Sequence, residues 1–75
     1  MSGSVAEGIK KIIRERAYMQ SEIARRAGFT AQQFNDMLNN RKIIRADYMA
    51  PIACALGVSV QEIYDAGRAS EEVKQ

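Results

Sequence analysis

Residues 20–40 constrain this chain more than any other stretch, because they read as two short helices held against each other by a sharp turn. From Gln20 to Ala27, the residues Ile23, Ala24 and Ala27 fall on one face at helical spacing. Gly28 follows at the point where the backbone needs a positive φ, which a side chain makes costly. Thr30 opens the second helix: its hydroxyl can accept a backbone N–H, and Gln33 three residues on completes a capping box. Phe34, Met37 and Leu38 continue an apolar face. Gln32, Gln33, Asn35, Asp36 and Asn39 are left as a polar display, and four of these five are uncharged amides. That display is what a functional reading has to explain.

Seventy-five residues allow one domain, close to the lower size for a core without staples. One cysteine and no histidine exclude an internal disulfide and an ordinary zinc site, so no metal and no cofactor are expected. The missing histidine also removes the commonest general base, and no nucleophile, base or metal set assembles; catalytic residues are expected to be none. No apolar run approaches the ~20 residues that span a bilayer, and no signal-peptide pattern opens the chain. A soluble cytoplasmic protein without a membrane partner is the expectation. The formal net charge is only +2, but it is unevenly placed. Residues 1–45 hold nine Lys or Arg against four acids, and residues 46–75 hold two against five. A basic half bearing the helix pair and an acidic half behind it fit a DNA-facing and a DNA-averted side.

In chain order, Ser4 and Glu7 have capping-box spacing and predict a helix start near Val5. Val5, Ile9, Ile12 and Ile13 then form an apolar stripe, with Lys10, Lys11, Arg14 and Arg16 on the remaining surface. Tyr18 is expected to turn its ring inward and leave its hydroxyl near solvent. Arg25 and Arg26 read first as surface charges. Met49, Ile52, Ala53 and Leu56 keep helical spacing across Pro51, so the fourth helix is either kinked near Asp47 or regular only from Ala50. Cys54 is expected to be small and semi-buried, and Gly57 to close the helix. Ser59 to Glu62 is a further capping box and starts a short fifth helix, with Val58 and Ile63 inward. The domain is expected over residues 1–66, and 67–75 as a polar, frayed tail with Val73 as its one apolar anchor beyond alanine.

These blocks resemble the lambda-repressor and Cro-like helix-turn-helix regulators. The matching residues are Gln20, Ile23-Ala24, Ala27-Gly28-Phe29-Thr30, then Phe34 and Met37, and downstream Ile52 to Ser59 at the end of the fourth helix. Agreement in order and distance extends over roughly residues 5–65. The resemblance implies an all-α, compact five-helix domain whose third helix, residues 31–39, enters the DNA major groove. It assigns Gln20 a phosphate contact and a brace on the recognition helix. Ala17 stands where the family usually has glycine, and Met19 where it has a Thr or Ser cap, which should cost the corner ~1 kcal/mol. Asn40 also stands at a glycine position, and asparagine tolerates the left-handed conformation next best.

Residues at the N-terminal end of such a helix meet base edges. Gln32 is the first candidate base reader, followed by Gln33, Asn35 and Ala31, since amides pair with adenine and a methyl packs on thymine. Asp36 could accept from cytosine N4 or could repel phosphate. Phosphate contacts are expected from Gln20, Thr30, Asn39, Arg41, Lys42 and Arg45, the loop cations having no acid nearby until Asp47. Leu38 is either extra core or, with Val60 and Tyr64, part of a homodimer interface. The function expected is sequence-specific binding of double-stranded DNA by a repressor dimer on a palindromic operator. The alternative is a protein-interaction module, an antitoxin-like or partner subunit, that keeps the fold without the DNA contacts.

Overall fold

The apolar faces expected from the sequence meet in a single core. The computed structural model describes residues 3–73, and the side chains of 5–68. Five helices follow one another: α1 Gly3–Glu15, α2 Gln20–Ala27, α3 Ala31–Leu38, α4 Ala46–Leu56 and α5 Val60–Val73, with no strand among the described residues. The all-α reading holds. Ile9 and Ile12 of α1, Ile23 and Ala24 of α2, Phe34 and Met37 of α3, Ile52 and Leu56 of α4, and Ile63 of α5 are all buried together. Phe29, in the α2–α3 turn, lies parallel to Phe34 at 6.4 Å and meets Tyr48 of α4 edge-on at 5.0 Å. Both are favourable aromatic geometries, and they pack the α2–α3 turn against α3 and α4.

The corners follow the local chemistry. Gly28 ends α2 at φ 90°, and the Phe29 N–H donates to Ala24 O at 2.9 Å. Thr30 and Gln33 form the complete capping box. Ser59 Oγ accepts from Glu62 N at 3.1 Å, while Glu62 returns a carboxylate oxygen to Ser59 N at 2.9 Å. Asn40 and Ala17 both take the left-handed conformation, at φ 62° and 56°. For Ala17 this is a strained position without the glycine that would relieve it. Met19 caps α2 with extended backbone and no side-chain hydrogen bond.

α1 begins at Gly3, close to the expected start near Val5; the Ser4 side chain lies outside the described ones. Other expectations are corrected. α4 runs unbroken from Ala46 through Pro51, which excludes a late start at Ala50. Pro51 and Asp47 are both exposed, so water can take up the Asp47 carbonyl that proline leaves without a donor. Cys54 is exposed rather than semi-buried, because it falls on the side of α4 away from Ile52 and Leu56. The Tyr18 hydroxyl donates to Leu56 O at 3.2 Å, tying the α1–α2 corner to the end of α4. The fifth helix is not short: it runs Val60–Val73. Gly67, within this helix, is buried against α1. Lys74, Gln75 and the side chain of Val73 lie outside the described residues.

Candidate nucleic-acid interface

The capped N-terminus of α3 pushes Ala31, Gln32 and Gln33 out to solvent, opposite the buried Phe34, Met37 and Leu38. The four candidate base readers are not equivalent there. Gln33 spends its carbonyl oxygen on Thr30 N at 3.0 Å and keeps its NH2 free. Gln32 donates its NH2 to Asp36 Oδ1 at 3.0 Å, one turn along the same face. Asn35 is half-buried, and its Oδ1 accepts from Gln20 at 3.2 Å and from Asn39 at 3.1 Å. Asn39 Nδ2 also donates to Asn35 O at 2.9 Å. Asn35 therefore sits in the brace, with Ala31, Gln32 and Gln33 as the exposed outer edge. Gln20 joins the start of α2 to the middle of α3, the bracing geometry that the resemblance implied.

Thr30 Oγ1 accepts from Gln33 N at 3.0 Å, which leaves the hydroxyl hydrogen available for a phosphate oxygen. Beyond α3, the N–H groups of Arg41 and Lys42 both reach back to Asp36 O, at 2.8 and 3.2 Å. That tight reversal overturns the expectation of a loop without a nearby acid: Arg41 Nη1 lies 3.6 Å from Asp36 Oδ1. Lys42 and Arg45 are exposed and have no ion-pair partner among the described residues. Between them Ile43 is 77% exposed, and with Arg41, Lys42, Arg45 and Tyr48 it lines an open depression formed by the α3–α4 loop and the start of α4. The sequence reading had not singled out Ile43.

Arg25 and Arg26 are engaged elsewhere, at 2.5 and 3.4 Å from the carboxylate oxygens of Glu22. The hydrogen bond and charge of Arg25, with Arg26 behind it, hold the Glu22 carboxyl below its ordinary range. Leu38 is only 1% exposed and belongs to the core, so it presents no surface to a partner. Of the expected interface residues, Val60 is half-buried and Tyr64 is 41% exposed. Among the described residues no three metal-ligating side chains gather, and no helix is long and apolar enough to cross a membrane.

What this arrangement can do is present a methyl and two amides on a capped helix end, with exposed cations in the loop that follows the same helix. The profile of the Cro/C1-type helix-turn-helix DNA-binding domain matches residues 8–66. No curated protein matches the chain significantly. Among solved structures, the clp gene regulator ClgR from C. glutamicum has the same fold, with a TM-score of 0.84 at 16% identity. The likeness covers 92% of this chain and 90% of that one.

Proposed function

The chain belongs to the Cro/C1-type helix-turn-helix DNA-binding domain family, and on that basis we propose that it is a sequence-specific regulator of transcription. In this reading it represses, as a homodimer on a palindromic operator that overlaps a promoter. The observation that carries it is the exposed row Ala31, Gln32 and Gln33 at the capped start of α3, together with Lys42 and Arg45 in the following loop, exposed and without ion-pair partners among the described residues. A helix end of this kind fits the major groove, where a glutamine can take adenine N6 and N7 together. Gln20, Thr30, Asn39, Arg41, Lys42 and Arg45 would take phosphates. To do so Asn39 has to release a bond to Asn35, and Arg41 has to share itself with Asp36.

One recognition helix reads few base pairs, and two copies related by a two-fold axis would supply the discrimination this reading calls for. Val60 and Tyr64, in the acidic half, are the apolar groups best suited to that contact, since phosphate repulsion keeps this side off DNA. Selection of bound duplexes from random DNA tests the proposal. Enrichment of a two-fold symmetric site supports both parts, and a single asymmetric half-site removes the dimer. Failure to enrich any sequence removes sequence-specific binding altogether.

A further inference from the structure

Asp36 is the one acid on the exposed face of α3, and it has partners on both sides. Gln32 Nε2 donates to its Oδ1 at 3.0 Å, and Arg41 Nη1 stands 3.6 Å from the same oxygen. An ionised carboxylate can only accept. The NH2 end of the Gln32 amide must therefore face Asp36, because the reverse would set two acceptors against each other. What Gln32 has left to offer is its carbonyl oxygen and its second N–H. That acceptor–donor pair, in that sense, is what the adenine edge takes, N6 donating and N7 accepting.

An acid in this position does nothing for general affinity. Beside phosphates its charge weakens binding to every sequence alike. Nor is it there chiefly for the helix, since an exposed amide–carboxylate pair four residues apart contributes little. Discrimination is the contribution left to it. A freely rotating glutamine can meet different base pairs with either end of its amide, whereas a held one meets them one way round. Attraction given up on all sequences in return for a penalty on the wrong ones is how specificity is commonly built.

We propose that Asp36 is a specificity-determining positioning residue: by holding the NH2 end of Gln32, it fixes the sense in which that amide meets a base pair. Arg41 supports the arrangement from the phosphate side by partly neutralising Asp36 while leaving its hydrogen bond to Gln32 intact. The inference rests on the reading of Gln32 as a base reader.

The test uses the duplex selected by the wild-type protein and its single-base-pair variants, with Gln32→Ala, Asp36→Asn and the double variant. Asn keeps the shape of Asp but can donate or accept, so it holds Gln32 either way round. Asp36 is half-exposed, and a thermal melt of each variant confirms that the fold is intact. Gln32→Ala should lower the preference at one base pair by about 5- to 100-fold. Asp36→Asn should lower the preference at that same base pair by at least about 5-fold while tightening binding to unrelated duplex. The double variant should be no less discriminating than Gln32→Ala alone, because the two changes remove one device. If Gln32→Ala relaxes that base pair and Asp36→Asn does not, the inference is overturned and the reading of Gln32 stands. If Gln32→Ala leaves every preference intact, both are overturned.

Discussion

A β-carbon added to Gly8 of α1 would sit 2.9 Å from the backbone nitrogen of Gly67 in α5, and only 2.2 Å from the carbonyl oxygen of Ile63. Neither neighbour is a side chain that can swing away. The first and last helices therefore meet backbone to backbone, at a point where the sequence shows nothing but two glycines in otherwise helical stretches.

Gly8→Ala is accordingly expected to destabilise the protein, although alanine is the better helix former by about 1 kcal/mol. Forcing the helices apart costs about 1–3 kcal/mol or more, and a contact with fixed backbone atoms belongs at the upper end, above that gain. In a domain of this size each kcal/mol lowers Tm by about 4–8 °C. Thermal or urea unfolding reads the sign directly. An unchanged or higher Tm would mean that α1 and α5 do not approach this closely.

The helix pair was legible because its signals are local. Gly28, Thr30 with Gln33, and the spacing of Phe34 and Met37 all lie within a few residues of the features they determine. The close approach of α5 to α1 was not legible, since it joins Gly8 to Gly67, almost a whole chain apart. The interface divides in the same way. The amides of α3 could be read off one helix face, and Gln32 and Asp36 stand at a spacing that already allowed their hydrogen bond. The pairing of Asp36 with Arg41 needs the tight reversal after Leu38, in which two consecutive N–H groups return to Asp36 O. No residue type announces that reversal except Asn40, whose left-handed backbone makes it.

The α1–α2 corner should be improvable. Ala17 is left-handed at φ 56°, and Met19 already has extended cap geometry without a capping side chain. Ala17→Gly should stabilise by about 1 kcal/mol, the left-handed strain of about 1–2 kcal/mol less the entropy that glycine loses on folding. Met19→Thr should add about 1 kcal/mol by accepting an N–H of the first turn of α2. The two sites share one turn, so the double variant should gain less than the sum. Denaturant midpoints check this, and a loss of stability in Ala17→Gly would contradict the positive φ.

Glu22 makes a pH prediction whose sign can be worked out. Arg25 and Arg26 hold its folded pKa below the ordinary value. Its contribution is therefore fully present above the unfolded carboxylate range and is lost as pH falls through the folded value. Between about pH 5 and about pH 2, Tm of the wild type should fall further than that of Glu22→Gln. The difference should be small and shrink with added salt, since the pair is solvent-exposed. Parallel pH profiles of the two proteins would remove Glu22 as a source of acid sensitivity.

Association through α5 is expected to be weak in free solution, because the apolar surface offered by Val60 and Tyr64 is small. DNA should strengthen it by holding two copies at half-sites about one helical turn, roughly 34 Å, apart. Sedimentation with and without a symmetric duplex should show two copies per duplex, and Tyr64→Ala should reduce the cooperativity of their binding. A single copy at saturation would remove the dimer, whereas a tight DNA-free dimer indifferent to Tyr64→Ala would move the interface elsewhere.

Lys42 and Arg41 should differ in a way that only the pairing with Asp36 explains. Each phosphate neutralised on duplex DNA contributes about 0.9 to the slope of log affinity against log salt. Lys42 has no acid partner among the described residues, so Lys42→Ala should flatten the slope by close to that full amount, equally on cognate and unrelated duplex. Arg41 already shares its charge with Asp36 at 3.6 Å, and Arg41→Ala leaves that carboxylate without its cation beside the phosphates. Its affinity should therefore drop further than that of Lys42→Ala, through added repulsion as well as a lost contact. Restoring neutrality in Arg41→Ala with Asp36→Asn should recover part of the loss on unrelated duplex. Salt titrations of the three variants decide it: equal losses for Arg41→Ala and Lys42→Ala, with no recovery in the double variant, would show that Asp36 and Arg41 act independently on DNA.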